Sequence, residues 1–183
     1  MRAVSAGLAG ALVLEPELFG DARGWLLESY NRRDFELATG ASPQFVQDIQ
    51  SLSMRGVVRG IHYQVLQPQG KLVSVLDGEI FDVLVDLRRS SPTFGQWRSV
   101  TLTAENRRQL WIPVGLGHGF CVLSAQARVF YKTTDFYSPE GQRTVLWNDT
   151  DLRIEWPQAR GETPTLSAKD RDGTPLRHAE VFA

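Results

Sequence analysis

A chain of 183 residues, with 42% hydrophobic and 22% charged residues, has the length and balance of an ordinary folded domain, which argues against intrinsic disorder. Its formal net charge of -1 excludes the strong basic field that would draw the whole protein to nucleic acid or to a membrane surface. The sequence contains no repeat, low-complexity tract or linker, so we expect one domain over residues 1–183.

Residues 1–14 form a short apolar run that glycines dilute and that ends at Glu15 and Pro16. Because the run lacks a clear cleavage pattern for a signal peptide, we interpret it as the first strand. No stretch approaches the ~20 apolar residues that a membrane helix needs. The single cysteine, Cys121, cannot form an internal disulfide and is expected to be a buried bystander. The cytoplasm is the expected compartment.

Hydrophobic periodicity favours strands over helices along most of the chain. One helix is predicted from the capping residue Asn31 to Gly40. The clearest element is a hairpin of residues 71–76 and 79–87 around Asp77-Gly78, since this dipeptide suits the positive φ angles of a type I′ turn. Further strands are predicted at residues 45–53, 98–103, 109–112, 119–123 and 128–134. Many short strands with few helices indicate an all-β barrel or jelly roll.

Three familiar kinds of site are not indicated by the sequence. The glycine-rich segment 115–119 lacks the spacing of a dinucleotide fingerprint and has no helix after it. No phosphate-binding P-loop occurs. No Gly-x-Ser-x-Gly elbow occurs either, so the sequence gives no support for hydrolase chemistry.

Polar groups are instead concentrated inside strand-like segments. These groups are Arg59, His62, Lys71, His118 and Tyr131. Because alternate residues of a barrel strand point inward, such groups can line a cavity in the barrel mouth.

Each of these residues also has a purely structural interpretation. A lone histidine in a strand is more often a hydrogen-bonded structural residue than a base, but Arg59 and Gln64 flank His62 and favour a functional role there. His118 can serve either role. Tyr131 can be a core aromatic and Lys71 a solvated charge, while His178 lies in a polar tail and is expected to be idle.

Small β-barrels of the cupin type often bind iron, manganese or zinc through a His-x-His pair and a carboxylate. Here the corresponding spacing reads His62-Tyr63-Gln64, so the second imidazole is missing. The sequence therefore disfavours a metal site, and we expect neither a metal nor a cofactor.

The chain resembles the dTDP-4-dehydrorhamnose 3,5-epimerases, metal-free cupin-like enzymes of deoxysugar synthesis. The resemblance runs almost end to end and rests on many short blocks in one order. They are residues 20–24, 45–48, 59–64, 70–73, 82–88, 91–95, 112–113, 117–120, 131–135, 147–149 and 166–170.

The resemblance implies a role for particular residues of this sequence. His62 would remove the proton beside the sugar ketone, Asp170 would hydrogen-bond its imidazole, Tyr131 would return a proton from the opposite face, and Lys71 would stabilise the enolate oxygen. The implied contacts to the dTDP-sugar are Arg23, Glu28, Gln47, Asp48, Arg59, His118, Tyr137 and Lys169. It further implies a homodimer whose subunits share a strand, with no nucleic acid or membrane partner.

Two positions depart from the family pattern. Ile49 stands where a polar residue usually follows Gln47-Asp48, and Gln142 stands near a position where a glutamate is common. Both departures bear on substrate recognition rather than on the chemistry. The base of the nucleotide could stack on Phe19, Trp25 or Tyr137.

These residue types suit the reaction independently of the family. A ketone acidifies the C–H bonds on both flanking carbons, so epimerisation needs a base, an acid and a stabilised enolate. An imidazole with a pKa near ~6.5 is neutral at working pH, and a phenol with a pKa of about 10 can return a proton. An ammonium stabilises the charge that develops on the oxygen. No electrons are transferred, so no nicotinamide site is needed.

Three alternatives remain open. The first is an epimerase of the same type that inverts only C3 or only C5, in a secondary-metabolite pathway. The second is a metal-dependent cupin oxygenase or isomerase. The third is a sugar-nucleotide binding module without turnover.

Overall fold

The computed structural model describes residues 1–8, 10–157 and 163–183. Strands are the main regular structure among these residues and helices are few, as the all-β prediction required. The strands are β1 (Arg2–Ser5), β2 (Leu12–Glu15), β3 (Leu18–Asp21), β4 (Gly24–Leu27), β5 (Gln47–Met54), β6 (Val58–Gln64), β7 (Lys71–Asp77), β8 (Glu79–Asp86), β9 (Trp97–Thr103), β10 (Gln109–Ile112), β11 (Leu116–Val122), β12 (Gln126–Thr133) and β13 (Gln142–Thr144). The helices are α1 (Arg32–Thr39), α2 (Ala168–Arg171) and a 3-10 turn (Leu176–His178).

Two sheets form the body of the fold. A six-stranded sheet has the order β1-β2-β10-β7-β12-β5, and a five-stranded sheet has the order β13-β6-β11-β8-β9. The named strands pair antiparallel throughout. Strands β3 and β4 form a separate two-stranded hairpin. This arrangement is the jelly roll that the strand pattern predicted, and it agrees with the cupin-like fold that the resemblance implies.

The main apolar core lies between the two sheets. Val73 and Leu110 of the six-stranded sheet and Leu84 and Phe120 of the five-stranded sheet belong to one buried cluster. Alternate residues of each strand point into this layer, as expected for two packed sheets. Beyond the apolar layer, the same alternation points polar side chains of the strands into the space between the two sheets.

The predicted hairpin around Asp77-Gly78 is wrong. Strand β7 pairs with β10 and β12, whereas β8 pairs with β11 and β9, so the chain passes from one sheet to the other at Gly78. Gly78 has a φ of +79°, but Asp77 has no positive φ, and a type I′ turn needs both. A Cβ atom on Gly78 would lie 2.0 Å from the carbonyl oxygen of Gln126. The Asp77-Gly78 dipeptide predicted the bend correctly, but it could not determine which strands pair.

The prediction of one strand over residues 1–14 is also wrong. The segment forms two antiparallel strands, with Arg2 opposite Glu15 and Ser5 opposite Leu12. Gly7 and Gly10 adopt φ angles of +84° and +83° in the connection between them. The glycines that diluted the apolar run are therefore the residues that reverse the chain.

The remaining elements agree with the prediction apart from their boundaries. In helix α1, the Asn31 side chain accepts hydrogen bonds from the N–H groups of Arg33 and Asp34, and Gly40 ends the helix with a φ of +69°. Strand β11 begins at Leu116 rather than at residue 119, so His118 lies inside the strand. Strands β3, β4 and β13 and helix α2 were not predicted. No helix among the described residues is both long and apolar enough to span a membrane.

Candidate active site

A cavity of about 420 Å³ opens between the two sheets. Its wall combines residues of the six-stranded sheet, the five-stranded sheet, two loops and helix α2. The lining residues are Gln47, Ile49, Lys71 and Tyr131 from the first sheet, Arg59, His62, Tyr63, Gln64, His118, Phe120 and Gln142 from the second, and Gln69, Tyr137 and Lys169 from elsewhere. Most of the site residues predicted from the sequence are therefore brought together.

His62 and Asp170 form a hydrogen-bonded pair at this cavity. The Nε2 atom of His62 lies 2.5 Å from Oδ1 of Asp170, which is only 3% exposed. The backbone N–H of Gly60 also donates to Oδ1 at 3.1 Å, and the Ser167 hydroxyl donates to Oδ2 at 2.6 Å. Ser167 caps α2 by accepting from the Asp170 N–H, so the short helix itself orients the carboxylate.

The protonation states of this pair follow from their surroundings. Burial would raise the pKa of Asp170, but hydrogen bonds from His62, Ser167 and Gly60 outweigh it and lower the pKa to about 2. Burial lowers the pKa of His62, and the charges of Lys71 and Lys169 lower it further against the opposing effect of Asp170. His62 is thus neutral at pH 7. Its Nε2–H donates to the carboxylate, which leaves Nδ1 as the basic atom.

Tyr131 lines the cavity from the opposite sheet. It lies on β12, where its backbone neighbours are Ile49 on β5 and Val73 on β7. Burial raises the pKa of the Tyr131 hydroxyl, so the group stays protonated and can donate. A neutral imidazole on β6 and a protonated phenol on β12 therefore stand on the two walls of one cavity.

Lys71 supplies a partly buried positive charge. Burial lowers the pKa of Lys71 to about 8, with a further decrease from Lys169 and an increase from Asp82. The ammonium is still the main form at pH 7. It can stabilise an oxyanion more effectively there than in water, because the surrounding dielectric is low.

A second histidine–carboxylate pair lies beside the first. His118 and His62 are opposite each other in the pairing of β11 with β6, and Nε2 of His118 lies 2.9 Å from Oδ2 of Asp82. Burial raises the pKa of Asp82 against the effects of His118 and Lys71. Sequence reasoning did not single out Asp82, although an acidic residue inside the apolar run 79–87 was a usable signal.

Three predicted contacts do not line the cavity of this chain. Asp48 points to the outer face of β5, because its neighbours Gln47 and Ile49 point inward, and it bonds Lys132 at 2.8 Å. Arg23 lies in the exposed turn between β3 and β4, where it pairs with Asp21. Glu28 lies next to α1, with a carboxylate oxygen 3.3 Å from the Asn31 side-chain nitrogen.

Both departures from the family pattern lie in the cavity wall. Ile49 is the cross-strand neighbour of Tyr131, and Gln142 is the neighbour of Gln64. The Oε1 atom of Gln142 is buried and has no hydrogen-bond partner among the described residues. Of the three aromatics considered for stacking on the base, Tyr137 lines the cavity, whereas Phe19 and Trp25 lie on the β3–β4 hairpin.

Metal coordination needs several donors close together. Within the described ranges, no three histidine, cysteine, aspartate or glutamate side chains are grouped so that they could hold a metal ion. The two histidines of the cavity each bind a carboxylate instead.

Known proteins are similar to this chain both in sequence and in fold. An enzyme from Pseudomonas aeruginosa named dTDP-4-dehydrorhamnose 3,5-epimerase is 53% identical over 182 residues, which cover 100% of this chain and 99% of that protein. The crystal structure of a dTDP-6-deoxy-D-glucose-3,5-epimerase from Legionella pneumophila, in complex with dTDP-4-keto-L-rhamnose, matches with a TM-score of 0.94 and 47% identity. That match covers 98% of this chain and 94% of the other.

A third relative bears on the number of carbons inverted. A protein of Streptomyces niveus named dTDP-4-dehydrorhamnose 3-epimerase is 39% identical over 180 residues, covering 98% of this chain and 86% of that protein. The family model described as dTDP-4-dehydrorhamnose 3,5-epimerase matches residues 5–178. With that match over nearly the whole sequence, the chain belongs to the dTDP-4-dehydrorhamnose 3,5-epimerase family.

Proposed function

We propose that this protein is a cofactor-independent epimerase that inverts C3 and C5 of a dTDP-4-keto-6-deoxy-hexose through an enolate. The observation that carries the proposal is the placement of a neutral His62 and a protonated Tyr131 on opposite walls of one cavity. Inversion requires a proton to leave one face of a carbon and to return to the other. The names of the relatives supply the substrate class.

In this proposal His62 removes the proton from the carbon next to the ketone. Asp170 accepts the Nε2–H bond, fixes the tautomer and stabilises the imidazolium that forms. The electron pair of the broken C–H bond moves to the ketone oxygen, where Lys71 stabilises the negative charge. As the enolate electron pair returns and re-forms the ketone, Tyr131 donates its hydroxyl proton to the opposite face of the carbon. His62 then releases its proton to solvent and the Tyr131 phenolate takes one up, so that the same sequence can run at the second carbon.

The charged part of the substrate is a pyrophosphate, and we assign it to the cationic side of the cavity. Arg59 has a planar guanidinium that suits phosphate oxygens, and Lys169 adds a second cation. His118 and Gln47 are further polar contacts, and Tyr137 is the aromatic we assign to the nucleotide base. Residues 1–183 would act as one catalytic domain, since the cavity wall draws on residues from Gln47 to Lys169.

We also propose a homodimer, in which the β3–β4 hairpin of one subunit reaches the cavity of the other. The hairpin pairs with neither sheet, and its Phe19, Trp25 and Leu26 are 54%, 59% and 64% exposed. Exposed apolar side chains on an isolated hairpin favour burial against a partner. Such an exchange would give Arg23 a role at the partner's cavity, consistent with its position outside the lining of the cavity in its own chain.

The dimer has a direct test by complementation. His62→Ala and Arg23→Ala proteins are expected to be inactive separately, but a mixture that exchanges subunits should regain part of the activity. Recovery is expected because each mixed dimer contains one cavity with both residues intact. A monomer in solution, or no recovery in mixtures shown to contain heterodimers, would refute the exchange.

Deuterium wash-in tests the reaction. Incubation with dTDP-4-keto-6-deoxy-glucose in D2O should introduce solvent deuterium at both carbons next to the ketone, and His62→Ala should abolish the uptake. Absence of uptake by the unmodified protein, with tight ligand binding, would instead indicate the binding module. Elemental analysis of the purified protein addresses the metal-dependent cupin, which predicts stoichiometric iron, manganese or zinc.

A single-carbon epimerase is the second candidate. The observation that favours it is the placement of Ile49 beside Tyr131 and of Gln142 in the cavity wall, where both can alter how the sugar sits. A relative named as a 3-epimerase shares 39% identity with this chain. Uptake of deuterium at one carbon only would establish this activity.

The cytoplasm remains the proposed compartment, because the lone Cys121 offers no internal disulfide.

A further inference from the structure

The loop of residues 135–138 places Tyr137 in the wall of the cavity. This loop follows β12 and has no strand partner of its own. The Tyr137 ring is exposed, and among the described residues its side chain makes no hydrogen bond or ring contact. The hydrogen bonds that position Tyr137 are therefore those of its own backbone and of the loop around it.

Gln64 holds this loop with both ends of its carboxamide. The side chain is buried, with 4% exposure, although it belongs to a cavity-lining strand. Its Nε2 group donates to the carbonyl oxygens of Gln67 at 2.7 Å and Phe136 at 3.2 Å. Its Oε1 atom accepts from the backbone N–H of Ser138 at 2.9 Å. The bonds to Phe136 and Ser138 bracket Tyr137.

Gln47 reaches the same loop from the opposite sheet. Its Oε1 atom accepts the backbone N–H of Tyr137 at 3.0 Å. Gln47 lies on β5 of the six-stranded sheet, whereas Gln64 lies on β6 of the five-stranded sheet. Gln47 and Gln64 thus fasten the loop from the two walls of the cavity, and the Nε2 group of Gln69 donates to the Asp135 carbonyl at 2.8 Å.

A carboxamide is required at position 64 on chemical grounds. It is a donor and an acceptor at once, so it can satisfy a carbonyl and an N–H of the same loop. The carboxylate of a glutamate has no donor and would face two carbonyl oxygens. The thioether of a methionine would leave the buried backbone groups of the loop unpaired. Position 64 therefore requires an amide because of the hydrogen bonds it makes, and not because of apolar packing.

We propose that Gln64 and Gln47 are positioning residues that hold residues 135–138 in place, so that Tyr137 is oriented for the nucleotide before the substrate binds. This inference rests on the proposed function for the identity of the ligand. A loop ordered in advance does not lose conformational freedom on binding, which favours affinity. The effect of the two glutamines should appear in KM more than in the chemical step.

Gln64→Glu is the informative variant. We expect KM for the dTDP-sugar to rise about tenfold, as for the loss of two hydrogen bonds, with a smaller change in kcat. Backbone amide exchange at Tyr137 and Ser138 should become faster in the free protein. Gln126→Glu is the matched control, because it breaks a similar bond to Asp77 at the far end of β12 and should leave both measurements unchanged.

The Gln64→Glu variant also provides its own rescue. Protonation of the introduced carboxylate restores one O–H donor. The ratio of the variant's KM to the KM of the unmodified protein should therefore fall toward one as the pH falls. Protection of the Tyr137 and Ser138 amides should recover over the same pH range. A thermal midpoint that falls while KM and both amide rates stay unchanged would overturn the proposal, as would a rise in KM that low pH does not reverse. The amide measurements need no substrate, so they separate failure of this inference from failure of the proposed function.

Discussion

His62 and Asp170 are 108 residues apart in the sequence, yet the imidazole Nε2 and the carboxylate Oδ1 lie 2.5 Å apart. Strand β6 supplies the histidine, and helix α2, close to the end of the described chain, supplies the carboxylate. The Ser167 cap and the Gly60 N–H hold the carboxylate from two other directions. The pair is thus oriented by backbone as well as by its own hydrogen bond.

Asp170→Asn should lower the rate of substrate deuterium exchange by roughly 100-fold or more, in the range that a positioned general base contributes. The amide would donate to Nε2 of the imidazole and so favour the tautomer with the proton on Nδ1, the atom that must accept one. Exchange rates in D2O measure the effect. Asp172→Asn at the exposed end of the same helix is the control. Equal rates for both variants would show that the carboxylate does not act through His62.

Tyr131→Phe should separate the two proton transfers. The substituted protein keeps the ring and His62, so solvent exchange at the substrate C–H should continue, whereas the inverted product should decrease about 100-fold. Product configuration and deuterium content are measured in the same reaction by NMR. Tyr30→Phe serves as control because this tyrosine packs against Phe35 and Phe45, outside the cavity lining. Undiminished inversion by Tyr131→Phe would assign the acid to another group.

The pH profile of kcat/KM should have two limbs with different origins. His62 acts as a base when neutral, and burial lowers its pKa, so activity should persist below pH 6.5 before it declines in acid. Lys71 acts when charged, and its pKa of about 8 means that activity should fall as the pH rises through that value. Lys71→Met should be much less active and should lack the alkaline limb. An alkaline limb that survives in Lys71→Met would have to be assigned to another group.

Gly78→Ala should destabilise the fold by about 3 kcal/mol or more, because both the positive φ and the blocked space at the Gln126 carbonyl oppose a side chain. Gly56→Ala is the matched control: its φ of +75° is similar, but nothing lies within 4 Å of the added atom. The control should cost only about 1–2 kcal/mol for the left-handed backbone. Urea unfolding measures both. Equal losses would mean that the crossover between sheets tolerates a side chain.

Local sequence patterns predicted many of the elements of this protein but not their pairing. Asn31 and Gly40 bounded a helix correctly because caps act within one turn. Asp77-Gly78 marked a bend correctly, yet the two strands beside it joined different sheets. Pairing depends on which distant strands bury the same face, and β7 gains its partners from β10 and β12. No dipeptide contains that information.

The sequence by itself determined the residue types of the candidate site, because an imidazole, a phenol and an ammonium stand inside strand-like segments where polar side chains are costly. Tertiary structure alone decided which of them meet. It placed His62 and Tyr131 on facing sheets, brought Asp170 to His62, added Asp82 and turned Asp48 outward. The physical reason is that strand alternation sets which face a side chain takes, whereas sheet order sets what lies across from it.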